Sequence, residues 1–409
     1  MPAIVAETPN RPLKILIGVD TFPPDVNGAA IFSARLAAGL IKRGNDVRVE
    51  SPAFSRKHGY FIETHEGARV PVWRVYSWRW YPHDWLRFAL PWRSQAHAAR
   101  ILDEFRPDVV HIQSHFVVGR GLARQATKRG IRVVATNHFM PENLMEHSML
   151  PKVLQRTAAR LVWTDAAKTY RLTSAVTSPS RKAADFLERE AHIADVHAIS
   201  CGLDASLYTA TFDKRSENRI VFVGRVTGEK HIDVLLNAVA KLDPALDVKL
   251  DIVGGGDLLK ELGSLAKQLG IGDRVNFTGY VSDEELRATL TKGSVFVMPS
   301  VAELQSIATM EAMASGLPIV AANAMALPHL VHDGENGFLF EPGSSDDLAE
   351  KLAAVLTMSE AEVTRMKNSS LRYIEAHDIQ RTLTIFESLY RGEAVIDPVT
   401  DARLDEQRS

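Results

Sequence analysis

One stretch of the sequence combines acidic side chains with the predicted start of a helix. Residues 301–323 read VAELQSIATMEAMASGLPIVAAN and directly follow the strand-like segment SVFVMPS. Ser306 is a suitable N-cap for a helix over 307–314, and Gly316 is a suitable stop. The free amides near Gln305 and Ser306 would present the positive end of the helix dipole to a ligand. The stretch therefore predicts an anion site that suits phosphate.

Two carboxylates flank this predicted phosphate site. Glu303 lies just before the helix and Glu311 lies within it. Carboxylates accept hydrogen bonds from hydroxyl groups, and a nucleotide sugar offers hydroxyls on both its ribose and its hexose. The pair therefore favours a nucleotide-sugar site. The alternative, which this stretch alone leaves open, is a surface helix with two solvated acids.

A second loop contributes positive charge. In VFVGRVTGEKHIDVLLNAV, residues 221–239, Arg225 and Lys230 lie between a predicted strand and a predicted helix. Two cations at the end of a strand can neutralise a diphosphate and stabilise it as a leaving group. These two cations and the helix amides at 305–306 together favour a diphosphate site more strongly than the cations do alone.

A third loop is rich in glycine. LDIVGGGD, residues 250–257, places Gly254 and two further glycines after a strand, where the backbone can approach a ligand closely. The dinucleotide fingerprint is absent, because Leu259 stands where its third glycine would be. The first loop of the chain, DTFPPDVNGAA, lacks the fingerprint as well. Both observations disfavour a nicotinamide or flavin enzyme.

Short β-branched runs alternate with helical patterns along most of the chain, as KILIGVD (14–20) and AAIFSARLAAGLIKRG (29–44) illustrate. This alternation is typical of an α/β protein with parallel sheets covered by helices. The alternation of strands and helices resumes after the polar segment 208–218, which we interpret as an interdomain linker. We therefore predict two doubly wound domains with a ligand in the cleft between them. The expected bounds are 1–205 and 206–375, then a helix over 376–393 that crosses back to the first domain, and a frayed tail over 394–409.

Composition narrows the class of protein. The 409 residues are 45% hydrophobic and 24% charged with a net charge of −2, which argues against a general nucleic-acid binder. The single cysteine, Cys201, excludes an intrachain disulfide and suits a reducing cytosol. The N-terminus shows no signal pattern, and no segment approaches the ~20 apolar residues of a membrane span. We expect a cytoplasmic protein whose membrane contact, if any, is peripheral.

These segments together resemble glycosyltransferase family 4, whose members are retaining enzymes of the GT-B fold. In the second half the resemblance rests on VGRVTGEKHIDVLL, DIVGGGD, VNFTGYVSDEEL, FVMPSVAELQSIATMEAMASGLPIVA and LVHDGENGFLFEPG. In the first half it rests on FPPDVNGAA, PDVVHIQSHF, VVATNHF and ISCGLD. It covers nearly the whole chain and implies two Rossmann-like domains facing across a cleft. The implied reaction is hexosyl transfer from a nucleotide diphosphate sugar.

The resemblance also implies roles for individual residues. Glu311 should hold the ribose and Glu303 the donor hexose, while Arg225 and Lys230 should bind the diphosphate. No metal or other cofactor is expected, because the chain has no Asp-x-Asp and these cations cover the diphosphate. The other implied positions are Gly28 in a loop near the donor, His138 near the reacting face of the sugar, Leu304, Gln305 and Ser306 around phosphate and sugar, and Tyr280 and Val281 beside the base.

The chain departs from the family pattern at three places. Asn27-Gly28-Ala29 replaces a double glycine, and Leu304-Gln305-Ser306 replaces Pro-Phe-Gly, which leaves the hexose open. Cys201-Gly202 replaces Asn-Gly in a turn, where we expect a structural role for the cysteine.

Residues 72–93, VWRVYSWRWYPHDWLRFALPWR, hold five of the six tryptophans and four arginines against one aspartate. We expect Trp73 in a core strand with neighbouring arginines solvated. Tryptophan and arginine together suit the headgroup level of a bilayer, where four arginines less one aspartate would contribute roughly 3 kcal/mol. Family members that glycosylate diacylglycerol or phosphatidylinositol have a similar patch. The predicted acceptor or membrane surface comprises Trp80, Trp85, Arg87 and Trp92, with His115 on the acceptor side; a metal pair of His111 and His115 is disfavoured.

The sequence thus predicts transfer of glucose or mannose to a membrane lipid or glycolipid. The predicted partners are a nucleotide sugar and a lipid acceptor at an anionic membrane surface, without nucleic acid. Alternatives are the same transfer to a soluble acceptor, a nucleotide-sugar epimerase, or a non-catalytic sensor of nucleotide sugars. UDP and GDP donors are both open.

Overall fold

The computed structural model of the chain describes residues 11–25, 27–79, 87–140, 152–214, 217–395 and 397. It divides into two compact units. The first comprises Met1–Asn137, Ala166–Val176 and Glu387–Glu393, and the second comprises His138–Asp165, Thr177–Phe386 and Ala394–Ser409. None of the described helices is long and apolar enough to cross a membrane.

The first unit is built on a mainly parallel sheet whose strands follow the order β9-β8-β7-β1-β2-β4-β3. Among the described strands of this sheet, β3 pairs with its neighbour β4 in the antiparallel sense, and β5 and β6 form a separate antiparallel pair. Ile15, Leu16 and Ile17 of β1 are fully buried, as expected for a strand covered by helices on both faces. Its strands are β1 (Lys14–Gly18), β2 (Asp46–Pro52), β3 (Gly59–His65), β4 (Ala68–Val75), β5 (Ser77–Arg79), β6 (Arg87–Ala89), β7 (Val109–Ile112), β8 (Arg132–Thr136) and β9 (Ala175–Ser178), and its helices are α1 (Gly28–Lys42), α2 (Pro91–Phe105), α3 (Val117–Lys128) and the end of α4 (Lys152–Tyr170).

The second unit contains a parallel sheet with the order β13-β12-β11-β14-β15-β16. The chain enters at β11 in the middle, builds outward through β12 and β13, and then crosses to β14 on the other side of β11. The strands are β10 (His197–Ala198), which pairs with the end of β9, β11 (Asn218–Val223), β12 (Val248–Val253), β13 (Val275–Gly279), β14 (Val295–Met298), β15 (Ile319–Ala322) and β16 (Gly337–Phe340). The helices are the start of α4, then α5 (Arg181–Ala191), α6 (Ile232–Lys241), α7 (Leu259–Gln268), α8 (Asp283–Lys292), α9 (Ile307–Ala314), α10 (Leu327–Leu330), α11 (Ser345–Thr357), α12 (Glu360–Ile374) and the start of α13 (Ile379–Arg391), whose end belongs to the first unit.

Local signals place the helix ends where the sequence predicts them. The Asn27 side chain caps α1 by accepting a hydrogen bond from the Ala30 amide at 2.9 Å. The chain leaves this helix through Gly44, whose φ of +90° favours glycine. The prediction of a helix over 307–314 that ends at Gly316 is confirmed, since α9 has these bounds and Gly316 has a φ of +71°.

The tryptophan-rich segment is only partly as predicted. Trp73 is buried, with 6% of its surface exposed, and its ring packs against Phe105. The expectation that the arginines here are solvated is wrong for Arg74, which is 2% exposed and donates two hydrogen bonds to Glu63 at 2.8 and 2.6 Å. Burial alone would raise the pKa of the Glu63 carboxyl, but its contacts with His65 and Arg74 lower this pKa to about 2. With Arg74 paired, the electrostatic attraction expected of this segment falls to roughly 2 kcal/mol.

Candidate active site

The switch in strand order of the second unit defines a place for a ligand. β11 and β14 are neighbours, although three other helices and two strands separate them along the chain. The loops that follow them, 224–231 and 299–306, therefore leave the sheet side by side at its carboxyl edge. Open α/β sheets bind ligands at such a point.

An ion pair joins these two loops. The Lys230 ammonium donates a short hydrogen bond to Glu303 Oε1, and only 14% and 11% of the two side chains are exposed. The Glu303 carbonyl also accepts from the Ala326 amide at 3.2 Å. The structure thus brings together two of the predicted site residues, one from each loop. A cation and a carboxylate thus lie side by side at the switch point.

Glu229 organises the cationic loop, and the sequence analysis missed it. Its Oε1 accepts from Thr227 Oγ1 at 2.7 Å and from Arg225 Nη2 at 3.0 Å, while its carbonyl accepts from Ser300 Oγ at 3.1 Å. Burial alone would raise the pKa of Glu229, but the Thr227 hydrogen bond and the charges of Arg225 and Lys230 hold it below its usual value. Glu229 therefore remains ionised and fixes the Arg225 guanidinium. In the sequence, only its place next to Lys230 could have drawn attention to Glu229.

The segment before α9 is held in place by hydrogen bonds. Ser306 is the N-cap, and its Oγ accepts from the Thr309 amide at 3.3 Å. The Gln305 side chain accepts from the Cys201 amide at 2.7 Å, and the Leu304 carbonyl accepts from Ser180 Oγ at 2.7 Å. Because the Gln305 side chain is engaged in this way, the backbone at 304–306 is the part suited to a phosphate. Cys201 is buried, and its structural role in the turn stays a prediction.

Glu311 is also fixed by a residue that the sequence analysis did not single out. It lies in α9 with 5% of its surface exposed, and its Oε1 accepts a hydrogen bond from the Tyr208 hydroxyl at 2.9 Å. The two residues are 103 positions apart. No local pattern could have indicated their contact.

The glycine-rich loop is packed against the cationic loop. Gly254 has a φ of +133°, and a Cβ built on it would lie 2.0 Å from the Gly224 carbonyl oxygen. A Cβ on Gly256 would lie 2.3 Å from the Val226 carbonyl oxygen. The glycines thus permit an approach between two stretches of this chain's own backbone, where the sequence analysis had expected the approach of a ligand. Donor binding by Gly254 stays a prediction.

The position of Tyr280 is compatible with its predicted contact with a nucleotide base. It is 64% exposed, and a Cβ built on Gly255 would lie 2.6 Å from the Tyr280 ring. Val281 follows it and is half-buried. An exposed aromatic ring beside a bare glycine offers a flat surface for stacking.

The remaining predicted residues lie in different settings. Gly28 begins α1 in the first unit, directly after its Asn27 cap. His138 follows β8 and is half-buried, and its surroundings exclude enough water that burial lowers its pKa to about 4. It is therefore neutral near pH 7. Trp92 is 65% exposed, Arg87 is half-buried, and Trp80 and Trp85 lie outside the described residues.

His115, predicted on the acceptor side, is a buried residue of the first unit. Only 1% of its surface is exposed, and its ring packs against Phe116 with the ring centroids 4.3 Å apart. The Tyr170 hydroxyl lies 3.4 Å from His115 Nδ1. Membrane contact by this side chain is therefore ruled out in this structure, while a role toward the acceptor stays a prediction. His111 is buried between Thr136 and Tyr390, at 2.7 Å from each hydroxyl. In the described part of the chain, no group of three or more His, Cys, Asp or Glu side chains is arranged to hold a metal ion.

His377 supports the segment before α9 and should make the protein sensitive to acid. Its Nδ1 lies 2.9 Å from Ser200 Oγ, which accepts from Gln305 Nε2 at 3.1 Å. Burial, with a smaller effect of His329, lowers the pKa of His377 from 6.5 to about 3. The unfolded chain thus binds a proton that the folded chain does not, and the free energy of unfolding falls as the pH falls from 6.5 toward 3.

We expect His377→Gln to flatten this pH dependence. One group of this kind contributes a slope of up to ~1.4 kcal/mol per pH unit. Urea unfolding at pH 7, 6, 5 and 4.5 would measure the slope for the wild-type protein and the variant. His58→Gln, at an exposed histidine, is the control. An unchanged slope in His377→Gln would show that this histidine is not held neutral.

The chain has two Rossmann-like units, and the second carries the Lys230–Glu303 pair at its switch point. Two such units are typical of the GT-B fold of glycosyltransferases. Residues 26–207 match the sequence model of Glycosyltransferase Family 4, and residues 210–372 match that of Glycosyl transferases group 1. The chain is 32% identical over 303 residues to the MMP alpha-(1->4)-mannosyltransferase of Mycolicibacterium hassiacum, covering 71% of this chain and 73% of the relative. The chain belongs to glycosyltransferase family 4.

Two further comparisons are informative about chemistry and fold. The alpha-monoglucosyldiacylglycerol synthase of Streptococcus pneumoniae is 24% identical over 365 residues, which cover 85% of this chain and 80% of that protein. The solved structure of Anabaena Alr3699/HepE in complex with UDP-glucose matches with a TM-score of 0.73 and 19% identity, covering 93% of this chain and all of that one. The structural match shows that the two proteins share a fold. The predicted family and fold are thereby confirmed.

Proposed function

We propose that this glycosyltransferase moves glucose or mannose from a nucleotide diphosphate sugar to a lipid or glycolipid acceptor at an anionic membrane surface, with retention of anomeric configuration and without a metal. The observation that carries the proposal is the contact of Lys230 with Glu303 in front of α9, at the switch point of the second unit. A cation, a helix N-terminus and a carboxylate meet there, as a sugar diphosphate requires.

Each residue has a distinct part in the proposed transfer. Lys230, and Arg225 held by Glu229, neutralise the charge that develops on the diphosphate as its bond to the sugar C1 breaks. Glu303 accepts hydrogen bonds from the hexose hydroxyls and Glu311 from the ribose. The acceptor oxygen forms the new bond to C1 on the same face, and its proton passes to the departing phosphate. His138, neutral near pH 7, offers a hydrogen bond to the sugar without adding charge.

A lipid acceptor is supported by exposed aromatic side chains on the first unit. Trp92 and Trp78 are 65% and 41% exposed, although large apolar side chains usually favour the interior. Tyr76 contacts Trp78, and the guanidinium of Arg93 lies 5.8 Å from the Tyr76 ring. Tryptophan beside arginine is the combination found at membrane interfaces. A relative whose name specifies diacylglycerol agrees with this choice of acceptor.

The proposal is tested by incubating the full chain with UDP-glucose and with GDP-mannose, each alone, with an added soluble sugar, and with liposomes that contain diacylglycerol and anionic lipid. The readouts are donor binding, released nucleotide diphosphate, and converted donor or a sugar-bearing lipid by mass spectrometry. Lipid-dependent release with a glycolipid product would support the proposal. Release that depends on an added soluble sugar would indicate the soluble-acceptor alternative, donor conversion without any acceptor an epimerase, and binding without turnover a sensor.

Trp92→Ala is expected to weaken sedimentation with anionic liposomes about fivefold, because partial burial of a large apolar side chain contributes ~1 kcal/mol. The matched control is Leu161→Ala in α4, since Leu161 is 66% exposed but belongs to the second unit. Equal liposome binding by the wild-type protein and both variants would remove Trp92 from the docking surface.

A further inference from the structure

The polar stretch over residues 208–218, called the connector below, is fixed at its start to helices of the second unit. The matches end at residue 207 and resume at residue 210, within the polar stretch that the sequence suggests as a linker. Thr291 Oγ1 donates to the Thr209 carbonyl at 3.2 Å, and Lys367 Nζ donates to the Thr211 carbonyl at 2.7 Å. The start of this connector is therefore fixed to α8 and α12 of the second unit.

Tyr208 is the residue of this connector that reaches the candidate site. It follows a 3-10 turn over Ala205–Leu207 that the Asp204 side chain caps, and its backbone amide closes the turn on the Ala205 carbonyl. The turn and the Thr209 contact hold the backbone on both sides of the tyrosine. Its half-buried ring ends in the hydroxyl that donates to Glu311 Oε1 at 2.9 Å.

This hydrogen bond fixes the orientation of a carboxylate that has acceptor capacity for more than one donor. A carboxylate has two oxygens and about four lone-pair directions, and a phenol hydroxyl has one proton to donate. A bond from a neutral donor to an ionised acceptor is stronger than one between neutral groups. Holding Glu311 in one orientation before a ligand arrives reduces the entropy that binding must overcome.

We infer that Tyr208 is a positioning residue for nucleotide recognition: by orienting Glu311 it sets the affinity for the ribose hydroxyls and favours ribonucleotides over 2′-deoxyribonucleotides. The inference rests on the proposed function, in which Glu311 accepts from the ribose. Tyr208 itself does not touch the reacting atoms. It therefore acts on donor binding and leaves the transfer step unchanged.

The test is calorimetric titration of the full chain with UDP, GDP and their 2′-deoxy counterparts. Tyr208→Phe keeps the ring and removes only the hydroxyl. We expect its affinity for the ribonucleotide to fall about fivefold, the effect of one modest hydrogen bond. The preference for ribose over deoxyribose should fall as well. In the transferase assay the KM for the donor should rise while kcat stays the same. Tyr60→Phe, at a 52% exposed tyrosine of β3, is the control.

A double-mutant cycle distinguishes the positioning role of Tyr208 from a merely structural one. On a Glu311→Gln background, where the hydroxyl no longer has a carboxylate to orient, Tyr208→Phe should change nucleotide affinity less than about twofold. Equal effects on both backgrounds would overturn the inference, as would an unchanged affinity and an unchanged ribose preference in Tyr208→Phe alone. Failure of the wild-type protein to bind any of these nucleotides would instead refute the proposed function, and the inference with it.

Discussion

Lys230→Ala is expected to lower kcat/KM for the nucleotide-sugar donor about 100- to 1,000-fold, the usual effect of losing one preorganised group that stabilises developing charge. Lys230 is largely shielded from water and is held by Glu303, and in the proposed function its ammonium neutralises the diphosphate. The loss should appear mainly in kcat, because the charge on the leaving group grows as the bond to the sugar breaks.

Matched variants separate this effect from loss of a cation in general. Lys241→Ala removes a lysine of the same unit whose ion pair, with Asp346, is more exposed and should contribute little. Lys230→Arg keeps the charge but changes its shape and reach, and we expect partial activity. Single-turnover kinetics with saturating donor would measure the transfer step. If Lys230→Ala reacts as fast as Lys241→Ala, then Lys230 does not stabilise the leaving group.

The helix and its caps at the candidate site could be predicted from the sequence because their signals are local. Ser306 and Gly316 lie within one or two residues of the ends that they determine, and a side-chain cap or a positive φ depends on its immediate neighbours. The alternation of strands and helices likewise predicted α/β architecture. The strand order could not be predicted from local signals, because the position of β14 beside β11 depends on a crossover that no short segment encodes.

Tyr208, which could not be found from the sequence, and the partners of several residues that were found depend on contacts between distant segments. Tyr208 meets Glu311 across 103 positions, and Cys201 meets Gln305 across 104. Arg74 looked like one arginine of a solvated set, yet it is buried and pairs with the half-buried Glu63 of β3, which lies opposite Val70 in the strand register. Side-chain type indicated what each residue could do. Only the packing of the strands and loops determines which partner each residue has.

Gly254→Ala is expected to destabilise the protein by ~3 kcal/mol or more, because two penalties coincide at this position. The φ of +133° lies where residues with a side chain are strained, and the new Cβ would lie 2.0 Å from the Gly224 carbonyl oxygen. That oxygen belongs to the backbone, so a change of side-chain rotamer cannot relieve the clash. The loop that carries Arg225 would have to shift, and we therefore expect donor binding to weaken together with stability.

Gly263→Ala is the matched control for the loss of a glycine in the same unit. Gly263 lies inside α7, has no heavy atom within 4 Å of a built Cβ, and has no positive φ. Alanine there should stabilise the protein by ~0.5–1 kcal/mol, since it restricts the unfolded chain and favours the helix. Urea unfolding of both variants would measure the two effects with opposite signs. Equal stability of Gly254→Ala and the wild-type protein would mean that the two loops do not approach as closely as the glycines indicate.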